Sequence, residues 1–345
     1  MDERCTTRQL GVVVFTALLA PASALPTALA QGGSLGWLAM GAVFPLAVLV
    51  VWRLGKLGEA GLAARLKGPV GRLVLTLYYI WAVGLCALTA GSCVDRLGRT
   101  DYGGMPLWLM AVALALVSAY LIYKGRGSFL RSVEIFFLAL VAVLVLLFAL
   151  GAADLRWANL RPRDWGGWQG MAQGMVGGGA ALSVGTLAAF LPRKPKGPEE
   201  SPVWRWLALW CAVAAGLGAL VIGALGPKLT AQAPLPFFLV LQGLGFPGGF
   251  QRLEALGTAA WVLSDLTLLG LATLAAKRMA GDRAWAVLPP LAAVVVGGCL
   301  LPNDAVEGLT GFFYAVNLTL GAVLPVGLSL LPGRGGQKEK GISCG

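Results

Sequence analysis

Ten runs of roughly 18 to 25 apolar residues, each long enough to cross about 30 Å of hydrocarbon, leave this chain little room to be anything but a polytopic membrane bundle. They fall near 10–30, 35–54, 70–94, 105–123, 131–152, 170–192, 203–225, 254–276, 284–301 and 307–331. A spanning segment must satisfy its own backbone polar groups, so runs of this length predict helices. The fold class expected is an all-α integral membrane protein. Composition agrees: 57% of the residues are hydrophobic and 12% charged, too apolar for a core wrapped in a water-soluble skin.

A formal net charge of +11 raises the question of a nucleic-acid partner, and the placement of the charges answers it. The N-terminus, 53–72, 124–131, 193–205, 277–283 and the C-terminal tail hold 20 of the 27 Lys and Arg residues. By the positive-inside rule these segments are cytoplasmic, which puts both termini inside and requires an even number of spans. The basic excess then faces anionic lipid, and no nucleic acid is expected. The chain reads as one polytopic domain over 1–345, with halves at about 8–152 and 168–331 and a cytoplasmic tail at 332–345. The segment "RQLGVVVFTALLAPASALPTALAQGG" also carries a small-residue site of the kind signal peptidase cuts, although Asp2 and Glu3 beside Arg4 and Arg8 argue against cleavage. The longest outer connection, about 226–253, is too apolar for a solvated loop and too broken by Pro and Gly for a span. It predicts a short helix at the outer surface or folded back into the protein.

Two spans carry helix breakers. The first contains Pro21 and Pro26, and the sixth contains Gly177, Gly178 and Gly179 within "GMVGGGAALSVG". Proline removes a backbone donor and glycine lowers the cost of leaving helical geometry, so helices 1 and 6 are expected to break at membrane depth. Five spans separate the two starts, an odd number, so one runs inward where the other runs outward. Discontinuous helices at matching places in inverted halves point to a transporter-like fold with its site at the midplane. The competing reading is that the glycines let another helix approach closely.

Asp265 is the acidic residue that falls inside a span. Counted from Glu254 it lies about 16 Å deep at 1.5 Å per residue. Glu254, Thr258, Trp261 and Asp265 share one helical face, so the stripe should turn into the bundle, with Asp265 as a proton or coupling site or a structural hydrogen-bonding acid. Tyr314 and Asn317 on the tenth span are expected to bond to neighbouring helices. Six cysteines without a C-x-x-C pair, and the absence of histidine, give no basis for a metal site. No nucleophile–base pair, phosphate loop or carboxylate dyad is present, so neither an enzyme nor a cofactor is expected.

Several stretches together resemble the B-subunit permeases of bacterial spore germinant receptors, a branch of the amino acid–polyamine–organocation transporters. They are "TTRQL" before the first span, "ALPTALAQGGSLGW" at its end, "DLRWANLRP" at 154–162, and "FQRLEALGTAAWVLSD" at 250–265. The resemblance implies ten helices in the leucine-transporter arrangement, as two inverted five-helix repeats. It implies a nutrient germinant, often an amino acid, as ligand, with A-type and C-type receptor subunits as partners in the inner spore membrane. By position it places Ala20, Pro21, Ala22, Ser23 and Ala24 together with Gly177, Gly178, Gly179 and Ser183 around the ligand. Three functions follow as expectations: a germinant-sensing subunit, a secondary amino-acid transporter coupled to protons through Asp265, or a structural membrane subunit that has lost its site.

Overall fold

The computed structural model describes residues 5–55, 62–66, 68–99, 104–153, 155–162, 166–192, 203–233, 235–243, 253–301 and 303–330. Every regular element among them is helical, and no β-strand occurs. In chain order the α-helices are α1 (Thr7–Ala30), α2 (Ala39–Gly55), α3 (Leu62–Arg65), α4 (Gly68–Arg99), α5 (Leu107–Tyr123), α6 (Arg126–Ala153) and α7 (Gly167–Ser183). They continue with α8 (Val203–Leu225), α9 (Pro227–Gln232), α10 (Pro236–Gly243), α11 (Leu253–Met279), α12 (Leu288–Leu300), α13 (Asn303–Leu318) and α14 (Leu324–Leu330). A 3-10 segment, Val184–Phe190, extends α7, and a π-helical turn, Thr319–Val323, joins α13 to α14.

Each of the ten apolar runs contains helix. Among the described residues, seven helical segments are long and apolar enough to cross a membrane: Thr7–Ala30, Gly36–Arg53, Gly68–Arg99, Arg126–Ala153, Val203–Leu225, Glu254–Met279 and Gly311–Leu328. Leu107–Tyr123 and Ala284–Leu300 are shorter apolar helices, and glycine-rich α7 changes pitch after Ser183. The tail at 332–345, Asp2, Glu3 and Arg4, and most of the basic connection 193–205 lie outside the described residues.

The opening of α1 follows from "TTRQL". The Thr6 hydroxyl accepts from the Gln9 amide, and the Gln9 side chain accepts from the Thr6 amide, both at 3.2 Å, so two of the helix's orphan donors are satisfied reciprocally. Beyond this cap α1 is buried along most of its length and packs against α6, α7, α8 and α11. A helix apolar all round belongs in the middle of a bundle, and α1 occupies that place. Helix α11 is the second interior helix, with Leu268, Leu269, Leu271, Ala272 and Ala275 each at most 3% exposed. Of the two forms expected of the connection at 226–253, a short helix at the outer surface or one folded back, its described part takes the second: Thr230 of α9 and Phe237, Phe238 and Leu241 of α10 are buried. The Phe237 ring lies 4.5 Å from that of Trp261 on α11.

Candidate functional site

Helices α1 and α7 run antiparallel through the centre. A side chain placed on Gly174 would meet Leu29, one on Gly177 would meet Ala28, and one on Gly185 would meet Leu18 and Val14. Rising numbers on α7 therefore meet falling numbers on α1.

The expected break in the first span is corrected by the structure: α1 is one continuous α-helix through Pro21 and Pro26. Neighbouring side chains bond to the backbone on either side of Pro21. The Ala20 amide donates to the Ser264 hydroxyl at 2.7 Å, and that hydroxyl donates to the Thr16 carbonyl at 2.6 Å. Ser264 of α11 is thus inserted into the i→i−4 ladder of α1, one turn ahead of Pro21. The Trp210 indole of α8 donates to the Leu18 carbonyl at 3.1 Å, and Ser23 donates to the Ala20 carbonyl at 2.7 Å. Proline-containing helices persist in membranes when neighbouring helices and side chains cover and bond the disturbed backbone, and a side chain inserted into the ladder is also an expected origin of a bend. Among the five residues expected at the ligand, Ala20, Ala22 and Ser23 are buried, Pro21 is half-buried and Ala24 is exposed. Thr16 Oγ1, beside the Ser264 insertion, is buried and has no partner among the described residues.

The expected break in the sixth span is corrected as well: the chain changes pitch after Ser183 but stays helical from Gly167 to Phe190. Gly177, Gly178 and Gly179 stay within the α-helical part of α7, because they are packed on three sides. A Cβ on Gly178 would lie 2.7 Å from Met40 Sδ of α2, one on Gly177 would lie 3.0 Å from Ala28 of α1, and one on Gly179 would lie 3.2 Å from Leu318 of α13. Close approach through small residues is what the glycines provide here. The departure from α-helical geometry comes just after them, where Ser183 donates to the Gly179 carbonyl at 2.7 Å and the chain tightens into the 3-10 segment.

Facing that tightened segment is the widened one. A π-turn leaves carbonyls poorly aligned with their own helix, and two hydroxyls take them. Thr186 donates to the Gly321 carbonyl at 2.5 Å, and Tyr78 of α4 donates to the Leu320 carbonyl at 2.6 Å. The backbones touch at Gly321, where a Cβ would stand 2.4 Å from the Ser183 carbonyl oxygen. Beside this contact lies an apolar cavity of about 90 Å³, which Gly179, Ser183 and Thr186 share with Leu10 and Val14 of α1 and Trp206 of α8. The structure thus brings Gly179 and Ser183 to a cavity, leaves Gly177 and Gly178 in helix contacts, and sets Ala20–Ala24 farther along α1.

The polar stripe of α11 does face the interior. Thr258, Trp261 and Asp265 are each at most 3% exposed. Asp265 forms a buried ion pair with Arg96 of α4, and Cys93, one turn earlier on α4, adjoins the pair. Arg96 is the residue that the sequence reading missed. Its apolar run ends near residue 94, so Arg96 counts there as one of the outer charges, whereas α4 continues to Arg99 and carries the guanidinium inward. The signal was helical spacing: Cys93 and Arg96 are one turn apart. On the tenth segment Asn317 accepts from the Trp81 indole at 2.8 Å, as expected of a helix–helix bond.

The sequence matches the spore germination protein family over residues 24–281, a stretch from the middle of α1 to just past α11. The chain belongs to that family. It is a permease-like integral membrane protein, and among the described residues every regular element is helical and seven segments are long and apolar enough to cross a bilayer. Its fold is similar to crystal structures of three mutants of the Eremococcus coleocola manganese transporter, with TM-scores of 0.59, 0.59 and 0.58. Each covers 92% of this chain and 77% of the other at 14% identity. No curated protein matches the chain. Among the described residues, no three His, Cys, Asp or Glu side chains cluster as a metal site would require.

Proposed function

We propose that this protein is the permease-like, B-type subunit of a spore germinant receptor, binding a small nutrient such as an amino acid and passing a conformational change to A-type and C-type subunits. The observation that carries this reading is the pair of opposed pitch changes, 3-10 at Val184–Phe190 against π at Thr319–Val323, beside an apolar cavity in a member of the spore germination family. Helices that depart from α geometry at membrane depth must spend their freed backbone groups on protein, water or ligand. Here Thr186 and Tyr78 hold the freed carbonyls, and a ligand that exchanges with them would change the helix pitch it touches.

The wider frame of the proposal is ten membrane helices in two inverted five-helix halves, both termini cytoplasmic, in a cell or inner spore membrane. The antiparallel contact of α1 with α7 and the charge distribution of the connections support it. Gly179 and Ser183 are the proposed ligand residues nearest the cavity; Gly177, Gly178 and Ala20–Ala24 are proposed to join them when α1 and α7 move apart. Manganese is not carried over as cargo, since the chain has no histidine and the buried carboxylate of Asp265 is held by Arg96.

The likeness in fold to a transporter favours a second reading, a secondary amino-acid transporter coupled to protons through Asp265. Purified protein in sealed proteoliposomes, given a pool of radiolabelled amino acids with and without an inward proton gradient, separates the two. Saturable binding without lumenal accumulation supports the receptor subunit. Accumulation that collapses with the gradient overturns it in favour of the transporter, and neither binding nor accumulation leaves a structural membrane subunit.

A further inference from the structure

At the end of the bundle where α4 begins and α11 finishes, a groove of about 370 Å³ opens between the two helices. Arg72, Leu75 and Tyr79 of α4 line one wall, and Met279, Arg283 and Trp285 line the other. The second wall is built by the turn that ends α11. Gly281 and Asp282 have φ of 75° and 61°, a left-handed reversal closed by the Gly281 amide on the Arg278 carbonyl at 3.1 Å and the Asp282 amide on the Lys277 carbonyl at 2.9 Å. This turn swings Arg283 out of the helix. Tyr79 then donates to the Ala286 carbonyl at 3.1 Å, which pins the 3-10 turn Ala284–Val287 to α4 and fixes the groove's width.

The charge balance of the groove is incomplete. Asp282, the carboxylate nearest in sequence to Arg283, is taken by Arg278 one turn back. Arg72 and Arg283 are both exposed, and among the described residues neither guanidinium has a carboxylate partner. Two like charges facing one groove repel unless an anion lies between them. The groove also sits at a definite depth, because Gly68–Arg99 and Glu254–Met279 are both spanning segments and it opens at their shared end. Trp285, 53% exposed, stands at its edge, where indole rings settle at the boundary between headgroups and hydrocarbon.

We propose that this groove binds an anionic phosphoryl group, supplied in the membrane by the headgroup of an acidic phospholipid. A guanidinium on each side matches the geometry of phosphate oxygens, basic pockets between membrane helices take anionic headgroups, and Leu75 and Met279 give the start of an acyl chain an apolar wall. The site is independent of the nutrient site and stands whether the protein senses or transports.

The test uses the full chain in nanodiscs of phosphatidylcholine with one part in five of phosphatidylglycerol, with lipid retained after detergent extraction counted by mass spectrometry. Wild type is compared with R72Q/R283Q and with R156Q/R161Q, which removes two exposed arginines elsewhere. Losing one arginine–headgroup contact is worth roughly fivefold, so R72Q/R283Q is expected to lose phosphatidylglycerol retention by on the order of tenfold or more while R156Q/R161Q retains it. Inorganic phosphate at millimolar concentration is the second arm. If it leaves retention unchanged, the source is the lipid; if it displaces the lipid from wild type alone, the same groove serves a soluble phosphoryl ligand. Equal retention by wild type and R72Q/R283Q, with no effect of phosphate, overturns the proposal.

Discussion

Helix α1 and the α7–3-10 segment were expected to be counterparts, each broken at mid-membrane, yet α1 stays α-helical throughout and only the second changes pitch. In α1 the disturbance is covalent, two prolines that cannot donate, and neighbours bond to the backbone beside them: Ser264 from α11 enters the ladder at Thr16 and Ala20, Trp210 from α8 takes the Leu18 carbonyl, and the helix stays whole. In α7 the glycines impose nothing. They let α1, α2 and α13 come close, and the chain departs from α geometry only beyond them, where Ser183 meets the π-turn. A residue that forces a defect recruits partners to it, whereas a residue that merely permits one leaves the defect to tertiary contacts. The α1–α11–α4 side is accordingly pinned by hydroxyl, indole and a buried ion pair, while the α7–π side, held among the described residues by the Thr186 and Tyr78 hydroxyls, has an apolar cavity next to it. Motion should begin on the second side.

The largest test of that contrast is Asp265→Ala. It strands Arg96 as a buried charge and should cost about 3–5 kcal/mol, seen as loss of monodisperse protein in detergent or a large fall in Tm. Asp265→Leu combined with Arg96→Leu should recover most of the loss, and an unchanged Tm for the single variant would mean that the pair does not pin α11. Ser264→Ala comes next. Two buried backbone groups of α1 lose their partner, for about 1–3 kcal/mol, and hydrogen exchange at Ala20 should rise while exchange in α7 stays level. Exchange rising equally in both helices would erase the distinction between a pinned and a free side.

Gly321→Ala probes the other side, pressing a methyl on the Ser183 carbonyl where the 3-10 and π segments meet. Overpacking of this kind costs about 1–3 kcal/mol. The sharper expectation follows from the proposed nutrient-binding role: bound amino acid in proteoliposomes should fall while insertion is retained, and unchanged binding would separate the pitch changes from the ligand. Gly178→Ala should be the smallest effect, under about 1 kcal/mol, because the obstructing atom is the sulfur of Met40, a flexible side chain that can turn aside. A destabilisation as large as that of Gly321→Ala would show α2 to be as rigidly seated as the π-turn.

Much of this molecule is legible in its residues taken in order. Runs of apolar residues at bilayer length and the inward face of Thr258, Trp261 and Asp265 were legible because each rests on local spacing, and hydrophobicity acts residue by residue. So was the helix cap at Thr6 and Gln9. What could not be read was who answers whom. Pro21 announces a disturbed ladder, but only the packing of α11 on α1 decides that Ser264 bridges the adjacent rung between Ala20 and Thr16. Asp265 announces a buried charge, yet its partner Arg96 is 169 positions away along the chain, at the far end of a helix whose length the apolar run understates. The glycine triplet announces permission to leave α geometry, and the change of pitch itself begins five residues past Gly179, at Val184, where the π-turn and Thr186 hold it. Sequence determines which groups must be satisfied, because desolvation is a property of each group alone. Tertiary structure decides what satisfies them, because a partner exists only once helices distant in the chain have met.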